Sequence, residues 1–323
     1  MRIGIVGGGM AGLSCATLLA AAGHDIVVFD KGRGPGGRMS TRRLATGLGE
    51  IGFDHGAQYM TARDPAFVAR IERWADSGHV ARWTAAGDDA WVGTPAMNAP
   101  VRDLAARLDV RWQRRVDGLA RTADGWIFRG EDIDATPFDA AVVAVPAEQV
   151  APLVDADRPD WAGQARATPS DPCWTVMAAY DRRLPIAADR LIDRGIVASA
   201  VRNSSKPGRA DAEAWVVQAT GDWSTRHLED DPATVERTLL AAFADLAGID
   251  LPSPVATSTH RWRYAKSGRL GQDALWDGSR RLGLCGDWLP GSRVEAAWLS
   301  GRRLAQAITG PSPCPASGPA VGA

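Results

Sequence analysis

Residues 4–14 read GIVGGGMAGLS, with Gly7, Gly9 and Gly12 at the spacing G-x-G-x-x-G. Each glycine has a task in a phosphate-binding turn. Gly7 permits the tight bend, Gly9 lets the backbone approach a pyrophosphate, and Gly12 lets the following helix pack on its strand. Met10 and Ala11 open that helix, whose free N–H groups and positive dipole end suit an anion. Asp30, 18 residues beyond Gly12, stands where an acid can bond a ribose hydroxyl. The spacing serves FAD and NAD alike. Lys31 and the run Gly34-Pro35-Gly36-Gly37-Arg38 follow at once. Gly36 and Gly37 suit a second close approach to the pyrophosphate, with the Arg38 guanidinium adding positive charge; the alternative is a solvated basic loop.

A second set of residues lies at the other end of the chain, in GLCGDW from residue 283. Asp287, after Gly286, ends a strand and is placed to bond the ribityl chain or sugar hydroxyls of a flavin. Arg293, Val294, Glu295 and Ala297 open the last helix, whose N–H groups suit the flavin edge where negative charge develops on reduction. Gly-Asp before a helix is common by itself; together with a cradle at the far terminus it points to FAD.

Substrate-pocket candidates are Gln58, Tyr59, Trp174, Trp262, Tyr264 and Trp288: aromatic rings to stack on a flat donor, and polar groups to orient it. Core packing competes for each, since the chain has 13 tryptophans. His260 reads either as a group that steers a proton or an anion, or as a structural histidine. Lys266 is either a cation beside the flavin or a surface charge. Arg202, just before the NSSKPGR stretch, and Lys206 and Arg209 within it either meet the phosphates of a dinucleotide substrate or belong to a solvated turn.

These residues need a scaffold, and the pattern supplies one. RIGIV, a helix of Ala and Leu over residues 10–22, a stop at Gly23 and DIVVFD make a βαβ unit. Helical spacing returns in residues 64–78, 232–247 and 295–308. Residues 109–128 alternate like antiparallel strands turning at Asp124-Gly125, and FDAAVVAVP, TVMAAYD, AWVVQAT and residues 282–285 read as further strands. The expected fold is α/β: a Rossmann-like FAD-binding domain, which resembles the glutathione-reductase/amine-oxidase type, with an inserted α+β substrate domain on a mixed or antiparallel sheet. The FAD-binding domain is expected from residues 1–62, 98–150 and 270–310, and the substrate domain from 63–97 and 151–269. Residues 311–323, rich in Pro, Ala, Gly and Ser, read as a disordered tail.

The 323 residues are 45% hydrophobic and 23% charged, with a formal net charge of −1. No basic excess favours nucleic acid, and no apolar run reaches the roughly 18 residues of a membrane span. The four cysteines show neither metal-ligand spacing nor a disulfide framework, so no metal and a reducing, cytoplasmic setting are expected. A monomer or weak homodimer is expected.

The chain resembles the flavin amine-oxidase superfamily, and more narrowly the bacterial renalase-like proteins. GGGMAG, FDKGRGPGGRMSTRR, FDHGAQYMTARDPAF, VGTPAMNAPVRDLA, FDAAVVAVP, NSSKPGR, HRWRYA and GLCGDWLPGSRVEAAWLSG carry the resemblance, which spans nearly the whole chain to Gly310. It implies that Val116 presents its backbone to the adenine. Asp30 stands where the superfamily more often has Glu. Cys285 lacks the Ser-Gly-Gly-Cys setting of covalent flavoproteins, which implies non-covalent FAD. The resemblance further implies oxidation of the 2- and 6-dihydro isomers of NAD(P)H to NAD(P)⁺, with hydride passing to flavin N5 and O2 leaving as hydrogen peroxide. The alternatives are an amine oxidase or desaturase acting on another small donor, and a flavin-binding protein without turnover, which would have a blocked cavity.

Overall fold

In a computed structural model, which describes residues 1–310, two sheets carry the architecture. The first has six strands in the spatial order Leu275–Asp277, Leu282–Leu284, Ala140–Val143, Arg2–Val6, Asp25–Asp30 and Asp109–Trp112. All neighbours run parallel except the edge strand Leu275–Asp277. A parallel sheet is covered on both faces, so its strands read as continuous apolar runs. Alternation then sorts the side chains. Ile3, Ile5, Ile26 and Val28 join the core on one face, whereas Val6, Val27 and Phe29 join the core on the other.

Two helices cover the first face: Met10–Ala21, beginning in the glycine cradle, and Val294–Thr309. They pack closely because small residues meet at their contact. A Cβ at Gly301 would stand 2.0 Å from the Ala11 carbonyl oxygen. Leu13, Leu19 and Leu304 are fully buried there, each worth about 2 kcal/mol relative to exposure. The other face is closed by Trp126, Phe128, Phe138 and Trp161. The hairpin Gly118–Thr122/Gly125–Arg129 supplies Trp126 and Phe128 and turns where the sequence predicts. Asp109–Trp112, expected to join it, instead adds a parallel strand beside Asp25–Asp30.

The second sheet has five strands in the order Arg190–Arg194, Val197–Arg202, Glu213–Ala219, Asp171–Tyr180 and Ala256–Lys266, all antiparallel. Trp174, Val176, Ala178 and Tyr180 face the helix Pro232–Ala247. Met177 and Ala179, one step out of phase, meet Ile51 and Phe53 of the hairpin Thr41–Thr46/Gly49–Asp54. That hairpin is inserted between strands of the first sheet yet packs on the second, and the glycine-rich loop leads straight into it.

Among the described residues no helix is long and apolar enough to cross a membrane. The expectation for residues 311–323 falls outside the described residues.

Candidate active site

The carboxyl ends of the parallel strands open onto a cavity of about 2290 Å³, lined by Gly7, Asp30, Val145 and Gly286 at those ends and by Ala256–Lys266 of the second sheet opposite. Open parallel sheets bind ligands at such strand ends. The volume is more than twice that of an ordinary small-molecule pocket, about 300–1,000 Å³, which leaves room for a dinucleotide and a second molecule.

The cradle has the form that its sequence demands. Gly7 takes φ +107°, and a Cβ on it would meet the Ala144 carbonyl oxygen at 2.4 Å. A Cβ on Gly12 would lie 2.0 Å from the Gly7 carbonyl oxygen, so Gly12 sets the helix against its strand and does not line the cavity. At Gly9 a Cβ would meet nothing within 4 Å, and the helix that begins there has no side-chain cap. Met10 and Ala11 line the cavity with helix N–H groups available to an anion. Asp30 accepts the Gly8 N–H on Oδ2 and the Gly32 N–H on Oδ1, both at 2.6 Å, which fixes its carboxylate at the rim.

Lys31, Gly36, Gly37, Arg38, Val116, Gly286, Asp287, Arg293, Val294 and Ala297 line the same cavity. Arg38 has a different partner from the one its sequence context suggests. Its Nη2 donates to Asp287 Oδ1 at 2.6 Å and its Nη1 to Ser267 Oγ at 2.7 Å. Glu295 does not line the cavity; Oε1 accepts the N–H groups of Arg63 and Asp64, tying the last helix to the start of the helix Pro65–Asp76. Cys285 is buried away from the cavity. The open space over Gly9, the uncapped helix and the basic lining fit a flavin dinucleotide.

Of the substrate candidates, Tyr59, His260, Trp262 and Tyr264 line the cavity. The last three share one face of Ala256–Lys266 by strand alternation, while Arg261 and Arg263 turn to Glu229. Trp174, Trp288 and Gln58 require correction. Trp174 faces the second sheet's core and donates its indole N–H to the His227 carbonyl oxygen at 2.8 Å, while Cys173 beside it lines the cavity. Trp288 is fully buried beneath Gly286, where a Cβ would stand 2.8 Å from the indole. Gln58 turns inward, donating to the carbonyl oxygens of Asp54 and Gly56 and accepting from Lys206.

Arg202 and the two NSSKPGR cations instead turn into ion pairs within the protein. Lys206 and Arg209 both pair with buried Asp54, at 3.2 and 2.5 Å, and Arg202 is buried against Glu213 and Asp189. Burial alone would raise the Asp54 pKa; the two cations override it and hold the carboxyl well below its usual range. Burial pulls Lys206 down to about 8. The cluster fastens the loop after Val197–Arg202 to the end of Gly49–Asp54.

Two residues outside the expected set complete the far wall: Arg42 and His55. His55 stacks on Trp262, with ring centroids 5.0 Å apart, and meets His260 edge to face at 4.9 Å. Its carbonyl oxygen accepts the Trp262 indole N–H at 2.8 Å. Arg42 Nη2 lies 3.1 Å from His260 Nδ1. Both belong to segments that carry the family resemblance, but only the pairing of Thr41–Thr46 with Gly49–Asp54 brings them together. Among the described residues no cluster suited to a metal ion occurs.

Residues 75–309 match the family described as flavin containing amine oxidoreductase, and residues 5–73 match the NAD(P)-binding Rossmann-like domain. Over 42 residues the chain is 54% identical to an L-amino-acid oxidase from Daboia russelii, a stretch covering 13% of this chain and only 8% of that protein. A putrescine oxidase structure superposes with a TM-score of 0.75 at 14% identity, and cyclohexylamine oxidase from Brevibacterium oxydans IH-35A with 0.70 at 14%. Each comparison covers 95% of this chain and 98% of the other.

Proposed function

The chain belongs to the flavin containing amine oxidoreductase family, and from that premise we propose that it oxidises the 2- and 6-dihydro isomers of NAD(P)H to NAD(P)⁺. When bound, FAD supplies the two-electron acceptor, which O2 restores with release of hydrogen peroxide. The observation that carries the reading is the charge of the wall beyond the cradle. Arg43, Arg63 and Lys266 line it, and these cations suit the phosphates of a dinucleotide substrate. A cationic amine would be repelled by these cations, and the carboxylates on the wall are otherwise engaged. Asp287 holds Arg38 and Ser267, Glu148 accepts from Ser170, and Asp117 pairs with Arg115. Asp171 is exposed and in register with Lys266.

The chain's own residues bind and orient. The cradle and the uncapped helix take the pyrophosphate of FAD, Asp30 a ribose, and Asp287 a hydroxyl further along the cofactor, without a covalent link. His55, His260 and Trp262 present a flat wall against which a ring can lie. Burial, then the charges of His260 and Arg42, pulls His55 down to about 4; burial and Arg42 do the same to His260. The two imidazoles are therefore neutral at pH 7, and a neutral dihydropyridine meets no imidazolium charge there. The cavity's extent beyond the cradle argues against a flavin carrier that lacks turnover.

An anaerobic titration of the yellow holoprotein tests this reading. Stoichiometric 2- or 6-dihydro isomer should bleach the flavin band rapidly, while 4-dihydro-NADH and putrescine leave it intact. Bleaching by amines and not by the isomers would overturn the proposal.

A further inference from the structure

A guanidinium has N–H donors and no acceptor. With Arg42 Nη2 at 3.1 Å, His260 Nδ1 must therefore supply a lone pair. The proton of the neutral ring then resides on Nε2, which has no hydrogen-bond partner among the described residues, and His260 lines the cavity. Arg42 is itself held by a second bond, from Nη1 to Ser258 Oγ at 3.1 Å. Ser258 and His260 are two residues apart on one strand, so the guanidinium spans successive side chains of one face. On its other side His260 is braced by the edge-to-face contacts with His55 and Trp262, at 4.9 and 4.4 Å. A group fixed from two sides with one open N–H is a directional donor.

From this geometry we infer that His260, held by Arg42 as the Nε2–H tautomer, donates to a carbonyl oxygen on the flat ring of the substrate and thereby selects aromatic carboxamides over simple amines. The inference deepens the proposed function and rests on its placing of the substrate beside this wall. His260 touches the substrate; Arg42 is a positioning residue that acts through it. His55, whose Nδ1 is buried without a partner, keeps the neighbouring surface flat and uncharged. An ammonium group brings only donors to a site that offers a donor. A carboxamide brings the acceptor, and a site built to bond such a group discriminates strongly against ligands that lack it.

The test reads binding and needs no turnover. The holoenzyme is titrated with benzamide and with nicotinamide, following the perturbation of the flavin visible band; benzylamine is the control lacking the carbonyl. In the unaltered protein both amides should perturb the band and benzylamine should not. His260→Phe should weaken amide binding at least tenfold. His260→Gln, whose side-chain amide can place an N–H near the imidazole Nε2, should recover most of it. Arg42→Met should weaken binding severalfold with His260 intact, and it carries the test should His260→Phe lose its flavin. Equal amide affinity in the Phe and Gln variants, or no response to either amide in the unaltered protein, would overturn the inference. Isomer bleaching is scored separately, so a failure of the donor assignment leaves the proposed oxidation standing, and the reverse.

Discussion

Arg38 and Asp287 lie 249 positions apart in the chain and meet in an ion pair of 2.6 Å. Ser267 completes the junction, accepting from Arg38 and donating to Asp287 Oδ1 at 3.0 Å. Three segments thus converge on the cavity: the glycine-rich loop, the end of Ala256–Lys266 and the turn after Leu282–Leu284. The junction ties the two halves of the candidate cofactor site to each other.

Removing this junction should release cofactor before it unfolds the protein. Arg38→Met leaves Asp287, which is only 6% exposed, without its charge partner and frees the loop. FAD affinity should fall at least tenfold, about 1.4 kcal/mol, while Arg38→Lys restores part of it. Flavin fluorescence on dilution, or retention on ultrafiltration, measures the loss. Tight FAD retention by Arg38→Met would show that the junction is dispensable.

Gly9 and Gly12 should separate binding from folding. A Cβ on Gly9 meets no protein atom, and the residue has φ −85°, so Gly9→Ala should fold normally and lose FAD through lost space. A Cβ on Gly12 would meet a backbone oxygen at 2.0 Å, so Gly12→Ala must push the helix from its strand at a cost of about 1–3 kcal/mol. Urea midpoints of the two apoproteins decide it. Equal midpoints would contradict the packing role of Gly12.

Lys206 offers a stability prediction remote from the cavity. Its ammonium is fully buried against Asp54, Gln58 and Asn203. Lys206→Met removes one of two cations from a buried carboxylate that retains Arg209. Breaking such a pair costs about 3 kcal/mol, read as a lowered thermal midpoint. FAD affinity should be unchanged, since neither residue lines the cavity.

Local features were legible in the sequence, and features set by register were not. The cradle, Asp30 and the last helix follow from spacing because each acts through backbone within a few residues. The alternation in HRWRYA likewise separates rings from cations. Trp174 was not assignable, because which face of its strand meets the cavity depends on pairing with Ala256–Lys266. Trp288 looks like a pocket residue until the core buries it, and Gln58 until Lys206, distant in sequence, claims its oxygen. Lys206 and Arg209 read as solvent or phosphate ligands because Asp54, which neutralises both, lies about 150 residues upstream. Arg42 gave no separate signal among the neighbouring arginines. His55 had none of the spacing of a metal ligand, and its meaning lies in the two rings it touches.

The imidazole wall makes stability depend on pH in a stated direction. His55 and His260 titrate near 4 in the folded protein and near 6.5 when unfolded. Their folded values are depressed, so between about 6.5 and 4 the unfolded chain binds protons that the folded chain refuses. Stability should therefore fall as pH drops through that window, and the two rings should contribute no further change above pH 7. His55, the more deeply buried, should account for a loss on the order of 2 kcal/mol. Asp54 works in a separate window: its anion is stabilised on folding, so its share is lost only below the ordinary carboxylate range. Urea midpoints of the holoprotein at pH 7, 6 and 5 should decline, and His55→Asn, with no group left to protonate, should decline less. If the variant and the unaltered protein fell in parallel, the loss would lie elsewhere and the wall would not be the neutral surface on which selection of a neutral ring depends.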